Sequence, residues 1–358
     1  MKQKKIIIIH QEPFGYHSDT YYYCKYLRKK HSLTYICWDY NKKKIHMDGI
    51  NIIYISREGN LLIRNFRFII KVLNQLKNNY HYQIIKYFRG CSLLKFFFQN
   101  KIFLLDIRSS STLKNKFNRK FYNFFLKKEA SFFNNISIIS RGLANRLGFP
   151  KNPNKIFILP LGAEVISSTT KKFNSIHLLY VGTLYNRNID QTIKGFAKFY
   201  HEYKNKFQIT YTIIGSGFGN EEKDLKELIS DEDINHVVQV AGYVPHDELK
   251  VFFDTHNIGI SYIPKTEYFD VQPPTKTFEY LLSGMPVIAT DTSENKAVIN
   301  DKNGILIKDT HKDFYQGLVQ LCQKGIQFNS NDIRSNAMRY SWKKITNDLN
   351  YVLQNLSN

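Results

Sequence analysis

Short, continuous apolar runs rich in isoleucine and valine recur along this chain, each closed by a turn and most followed by a helical stretch. "KKIIIIHQEPFG" leads into "YYYCKYLRKK" and then "SLTYICWD", which reads as strand, helix, strand. Runs without polar alternation are buried on both faces, as in a parallel sheet flanked by helices. "INIIYIS", "YQIIKYF", "KIFLLDI", "ISIIS" and "KIFILPLG" continue the series through the first half. A second series starts at "HLLYVGT" and runs through helix 189–203, "QITYTIIGSG", helix 221–230, "VVQVAGYV", helix 246–254, "IGISYIP", helix 275–283, "PVIATD" and "GILIKD". The fold class that follows is α/β, with two Rossmann-like domains in tandem and a ligand crevice at the carboxyl ends of the strands. The polar, aperiodic "AEVISSTTKKFNSI" (163–176) is the expected linker. The expected domains are residues 1–168 and 169–340, with a closing helix over 341–358 that can return to the N-terminal domain.

A chain of 358 residues with 43% hydrophobic content can bury two cores of ordinary size. The basic start carries only four consecutive isoleucines, too few for a signal peptide, and "LLKFFFQNKIFLL" is broken by Lys95, Gln99, Asn100 and Lys101. Cys24, Cys37, Cys91 and Cys322 have no CxxC spacing, which argues against a zinc site or a disulfide framework. A soluble, cytoplasmic protein is expected. The net charge is +21, and all of the excess lies in one half: residues 1–165 hold 30 Lys and Arg against 8 Asp and Glu, the remainder 21 against 22. Such a half expects a polyanionic partner, whether nucleic acid, an anionic membrane face or a phosphorylated substrate.

The most informative stretch is "PPTKTFEYLLSGMPVIAT" (273–290). On a helical wheel Lys276, Glu279 and Ser283 share one face, while Phe278, Leu281 and Leu282 fall on the opposite arc. The helix opens after Pro273 and Pro274, so its first amides, at Thr275 and Lys276, face outward at a positive dipole end that favours phosphate. Lys276 adds a point charge, and Glu279, one turn on, can accept hydrogen bonds from a ribose diol. A surface Lys-Glu pair would give the same spacing.

In this segment Pro274, Lys276, Phe278, Glu279, Tyr280, Gly284, Pro286, Val287, Ile288 and Ala289 stand in register with a P-x-K-x-F-E-Y-x-x-x-G-x-P-V-I-A pattern. The chain therefore resembles the nucleotide-sugar glycosyltransferases of the GT-B fold, family 4 in particular. The resemblance extends through "YVGTLYNRNID", "IIGSGFGNEEKDLKELI" and "VAGYVPHDELKVFF", over about residues 177–342. In the N-terminal half it is confined chiefly to "FLLDIRSSS" and "LPLGAE". It implies two Rossmann-like domains facing a central cleft. It implies that Glu279 binds the donor ribose, that Thr275 and Lys276 meet the donor phosphates with Pro274 also in the donor site, and that Gly182 lets a diphosphate approach its bare backbone. Arg187 falls where the family binds diphosphate with lysine, Tyr243 and Val244 border the base, and Gly215 lies in a strand-end loop near the donor. Gly15 matches the N-terminal glycine loop that faces the reaction centre, a position a plain turn glycine would fill equally well. Three positions depart from the pattern. Val271 stands where the first motif glutamate is expected, with Asp270 beside it; Thr183 stands where many members have arginine; and Arg108 stands where many have a histidine near the reacting sugar.

The expectation is a retaining, metal-independent glycosyltransferase that uses a nucleoside diphosphate sugar, UDP-linked by preference. Lys276, Arg187 and Arg108 are its catalytic cations, and its acceptor is a lipid-linked saccharide of cell-surface polysaccharide or lipopolysaccharide synthesis. It would work at the inner face of the cytoplasmic membrane, with no nucleic acid and no cofactor. A nucleic-acid-binding protein using the basic half, and a nucleotide-sugar epimerase of the same plan, are the alternatives. The D-x-D spacing of Asp231 and Asp233 sits in a charged turn, so no metal is expected there. In residues 113–133, Phe117, Phe121, Phe124 and Phe125 form one helical stripe flanked by Lys114, Arg119, Lys120, Lys127 and Lys128. The stripe is expected to pack on the sheet, its basic flanks free to face lipid.

Overall fold

The isoleucine runs form the central strands of two parallel sheets. The structure, a computed structural model, describes residues 3–111, 115–149, 156–324 and 327–356. It divides into two units, Met1–Leu161 with Trp342–Asn358, and Gly162–Ser341.

The first unit runs β1 (Lys5–Ile9), α1 (Ser18–Leu27), β2 (Ser32–Asp39), β3 (Ile50–Ser56), α2 (Leu61–Leu76), β4 (Tyr82–Lys86), α3 (Ser92–Phe97), β5 (Phe103–Ile107), α4 (Lys116–Ala130), β6 (Asn135–Ile138), α5 (Arg141–Leu147) and β7 (Ile156–Ile158). Its strands are ordered β3-β2-β1-β4-β5-β6-β7, all parallel. β1 lies in the interior of the sheet, and Ile6 to Ile9 are completely buried. Right-handed crossovers fix the side each helix takes. The step from β1 to β2 runs opposite to the steps from β3 to β4, β4 to β5 and β5 to β6, so α1 covers one face and α2, α3 and α4 the other.

The second unit runs β8 (Ile176–Val181), α6 (Asp190–Tyr203), β9 (Ile209–Ile214), α7 (Glu221–Asp231), β10 (Val238–Gly242), α8 (Lys250–Thr255), β11 (Ile258–Ser261), α9 (Thr275–Leu282), β12 (Val287–Thr290), α10 (Ser293–Lys296), β13 (Gly304–Ile307), α11 (His311–Lys324) and α12 (Ser330–Ala337). Its sheet is ordered β10-β9-β8-β11-β12-β13. The direction of winding reverses between β8 and β11, which is where a doubly wound sheet opens a crevice for a ligand.

The polar segment 163–176 is not a free connection. It is pinned within the second unit because its serines and lysine supply hydrogen bonds that the helix ends need. Ser167 N donates to Ser283 Oγ (3.3 Å), Ser167 Oγ to Asp254 Oδ1 (2.6 Å), and Lys171 N to Ser330 Oγ (3.0 Å), while the buried Lys171 ammonium donates to Phe253 O.

The last helix, α13 (Trp342–Gln354), belongs to the first unit and packs on α1. Ile345, Leu349 and Leu353 supply its buried stripe, and His31 Nε2 meets Asn350 Oδ1 at 2.7 Å. Trp342 anchors the contact, stacked on Tyr22 with centroids 5.2 Å apart and set edge-on to Tyr23. Trp342→Ala is therefore expected to cost about 3–5 kcal/mol of stability, read as a lower urea midpoint for the first unit's transition.

Candidate functional site

The candidate site is built where the second sheet reverses its winding. Gly182 follows the end of β8 and Gly215 the end of β9, and their backbones approach so closely that a Cβ built on Gly215 would lie 1.8 Å from Gly182 O. Both have positive φ, +149° and +143°, a conformation only glycine takes without strain. The bare Gly182 leaves a space that Lys276 enters from α9, its Nζ 2.8 Å from where a Gly182 Cβ would stand.

Lys276 lies in the first turn of α9, whose N-cap is Pro274 in extended conformation. Thr277 N bonds back to Pro274 O at 3.2 Å, and Thr275 and Lys276 contribute the outward amides of the helix mouth. The Lys276 ammonium sits 3.6 Å over the Tyr180 ring, a cation–π contact. Its Nζ is buried and has no hydrogen-bond partner among the described residues. Burial, and then the charge of Arg187, lower its pKa well below that of free lysine, against the pull of Glu279. Tyr180 is held by its own hydroxyl, which donates to Thr183 O at 2.7 Å.

Arg187 lies with its guanidinium 4.2 Å over Phe269, and burial lowers its pKa. Thr183 is exposed, with Oγ1 donating to Ser216 O. Glu279, 13% exposed at the side chain, meets His246 Nε2 at 3.4 Å. That hydrogen bond, outweighing partial burial, raises the His246 pKa. Tyr243 is exposed and Val244 half-buried in the loop after β10. Lys276, Arg187, Gly182, Thr183, Pro274, Thr275, Glu279 and Gly215 thus gather at the ends of β8 and β9 and the start of α9. His246 joins them unforeseen; its only advance signal is its place two residues after Val244 in "YVPH".

One expectation on this helix changes. Ser283 does not share the face of Lys276 and Glu279: the helix ends at Leu282, and Ser283, completely buried, accepts from Ser167 N. Asp270, beside Val271 in the turn before this helix, is engaged by α10. Its two oxygens accept from Ser293 N (3.0 Å) and Ser293 Oγ (2.6 Å) at the start of α10. Asp231 closes α7, and Asp233 lies in the turn beyond it at φ +53°.

Gly15 and Arg108 belong to the first unit. Gly15, at φ +87°, packs against Ile45 in the turn between β1 and α1. Arg108 is buried rather than presented as a free cation. Its Nε donates to Asp19 Oδ2 at 2.7 Å and its Nη1 to Leu159 O, and Lys86 reaches the same Asp19 oxygen at 2.9 Å. Burial would raise the Asp19 pKa, but the charges of Arg108, Lys86 and His17 overcome it and hold the carboxyl far below its usual range.

Residues 175–324 match the family model described as Glycosyl transferases group 1. Solved structures share the whole two-sheet plan. Sucrose-phosphate synthase from Thermosynechococcus elongatus aligns at 13% identity and TM-score 0.72, covering 98% of each chain. The lipopolysaccharide outer core galactosyltransferase WaaB aligns at 14% and 0.72, covering 98% of this chain and 99% of that one. HepE from Anabaena, in complex with UDP and glucose, aligns at 13% and 0.71, covering 98% and 100%. A search of curated protein sequences finds no match. The architecture is the GT-B fold of these glycosyltransferases, an α/β fold of two domains.

Because Arg108 neutralises a buried carboxylate, Arg108→Ala leaves Asp19 undercompensated. It is expected to lower stability by about 3–5 kcal/mol, and Asp19→Asn on the same background should restore part of the loss, both read by urea denaturation.

Proposed function

We propose that the chain is a retaining glycosyltransferase of family 4, moving a sugar from a nucleoside diphosphate sugar to a membrane-associated, lipid-linked saccharide acceptor. The setting would be cell-surface polysaccharide or lipopolysaccharide synthesis at the inner face of the cytoplasmic membrane. The observation that carries the reading is Lys276: a buried ammonium without a hydrogen-bond partner among the described residues, at a helix mouth, beside a glycine whose missing side chain leaves its backbone open. A buried donor without an acceptor is costly, and a diphosphate oxygen would satisfy it. Binding of UDP and glucose by HepE, with the match of residues 175–324 to the glycosyltransferase model, favours a UDP-linked donor.

As the bond from the anomeric carbon to the diphosphate breaks, negative charge gathers on the leaving phosphate. Lys276, Arg187 and the first amides of α9 would stabilise that charge without metal, by dipoles and cations already in place. Glu279, one turn further on, would accept from the ribose, with His246 beside it. Arg108 serves the first unit as an ion-pair partner in this reading, and the acceptor side is left to that basic unit.

A thermal-shift series with UDP, GDP, ADP and CMP tests the donor site. UDP at about a hundred times its Kd is expected to raise Tm by about 5 °C, and Lys276→Met and Glu279→Ala to remove most of that rise. Lys276→Met without ligand should melt no lower than wild type, since the amine has no protein acceptor to lose. Absence of a shift with every nucleotide would sink the reading.

The lowered Lys276 pKa adds a pH dependence. The ammonium is present below that pKa and lost above it, so nucleotide affinity is expected to fall as pH rises through it, with proton uptake on binding. Calorimetry in two buffers of different ionisation enthalpy reads the uptake, and Lys276→Met should abolish it.

A further inference from the structure

Helices α2, α3 and α4 cover one face of the first sheet, and each turns large apolar side chains away from it. Leu62 is 80% and Phe66 67% exposed on α2, Phe96 63% and Phe97 61% on α3, and Phe117 75% and Phe124 53% on α4. The phenylalanine stripe of α4 was expected to pack on the sheet. Instead the sheet-facing positions are taken by Leu126 and Ala130, which are completely buried, and Phe117, Phe121 and Phe124 stand in solvent. Lys114, one of the expected basic flanks, lies outside the described residues.

The three helices are linked to one another. α2 packs on α3, Glu129 of α4 accepts from Gly90 N just before α3 at 2.9 Å, and the Arg89 guanidinium lies 4.8 Å from the Phe125 ring centroid. A groove of about 540 Å³ beside α2 is lined by Ile63, Phe66 and Ile70 together with Arg67 and Lys71. Six large apolar side chains, each more than half exposed, on three linked helices mark an interaction surface rather than ordinary scatter.

Charge identifies the occupant. Residues 57–133 hold 16 Lys and Arg against 3 Asp and Glu. Lys86 and Arg108 are buried among these cations, and Asp106 and Glu129 are buried among the acids, which leaves Glu58 as the exposed acid against a large excess of Lys and Arg. Apolar side chains set among basic ones, with almost no outward carboxylate, fit an anionic lipid surface: rings and leucines enter the acyl boundary while Arg and Lys meet headgroup phosphates. Among the described residues no helix is long and apolar enough to cross a membrane.

We propose that α2, α3 and α4 form a docking face on which the first unit lies in an anionic bilayer, with the α2 groove taking acyl chain. This deepens the proposed function by placing its membrane-associated acceptor on a named surface, and it rests on that reading for its purpose.

The test is co-sedimentation of the full chain with phosphatidylcholine vesicles, with and without phosphatidylglycerol, at low and high salt. Binding is expected only with phosphatidylglycerol and should weaken with salt. Leu62→Gln with Phe66→Gln, and separately Phe117→Gln with Phe124→Gln, should each lower partitioning by about tenfold or more. Because these side chains are exposed, both double variants should melt as wild type. Failure of wild type to bind phosphatidylglycerol vesicles would overturn the proposal, as would wild-type binding by both variants. A dimer in sedimentation velocity that the same substitutions dissolve, without vesicle binding, would assign the face to a second copy instead. No nucleotide is used, so the result is read independently of the donor-site thermal shifts.

Discussion

Right-handed crossover between parallel strands decides where this chain can place polar chemistry. In the second sheet, β8 hands on to β9 in one direction and β11 to β12 in the other, so α6 and α9 leave on opposite faces and the strand ends between them are uncovered. A strand end that is uncovered by helices must still satisfy its backbone, and Gly182 and Gly215 do so by folding onto neighbouring strand ends: Gly182 N donates to Ile214 O and Gly215 N to Gly242 O. Absence of side chains there lets α9 bring Lys276 against the sheet. Topology thus supplies the opening, two glycines make it shallow, and one helix mouth gives it charge.

The two units treat buried cations in opposite ways. In the first, Lys86 and Arg108 converge on Asp19, with Asp106 3.6 Å from Arg108 Nε. Carboxylates inside the protein thus offset the desolvation of both cations. In the second, Lys276 has an aromatic face and a nearby carboxylate of Glu279, and among the described residues no acceptor for its protons. Cation–π attraction offsets only part of the loss of water. The first arrangement sets its cations against carboxylates, although burial still lowers the Lys86 pKa, whereas the second is short of an anion, and burial lowers the Lys276 pKa further than the one nearby carboxylate can raise it.

Much of this was legible in sequence because it depends on local spacing. Unalternated isoleucine runs gave the strands, and the helical spacing of Lys276 and Glu279 against Phe278, Leu281 and Leu282 gave the polar and buried sides of α9. What escaped depends on partners distant in the chain. Arg108 looks like an available cation until Asp19, 89 positions away, is seen to hold it. Ser283 belongs to the polar face only if the helix continues, and it stops one residue earlier because Ser283 turns inward toward Ser167. His246 owes its raised pKa to Glu279, 33 positions on. The α4 stripe was periodic enough to look like a core face; periodicity reports that a face is apolar, not what covers it.

The departure at Val271 has a structural counterpart in what its neighbours do. Asp270 could restore the missing carboxylate only by abandoning both hydrogen bonds to Ser293, one of which satisfies an amide at the start of α10. Gln272, on the other side, has a buried Nε2 without a partner among the described residues, so this stretch offers an amide donor where a carboxylate acceptor was expected. The electrostatic result is a site weighted toward cations: Lys276 and Arg187 stand against Glu279, and His246 already meets that carboxylate. A site so weighted favours ligand groups that accept hydrogen bonds and carry negative charge over those that donate from neutral hydroxyls. Lys276, Arg187 and the mouth of α9 are therefore the part of the site whose chemistry the residues define most fully.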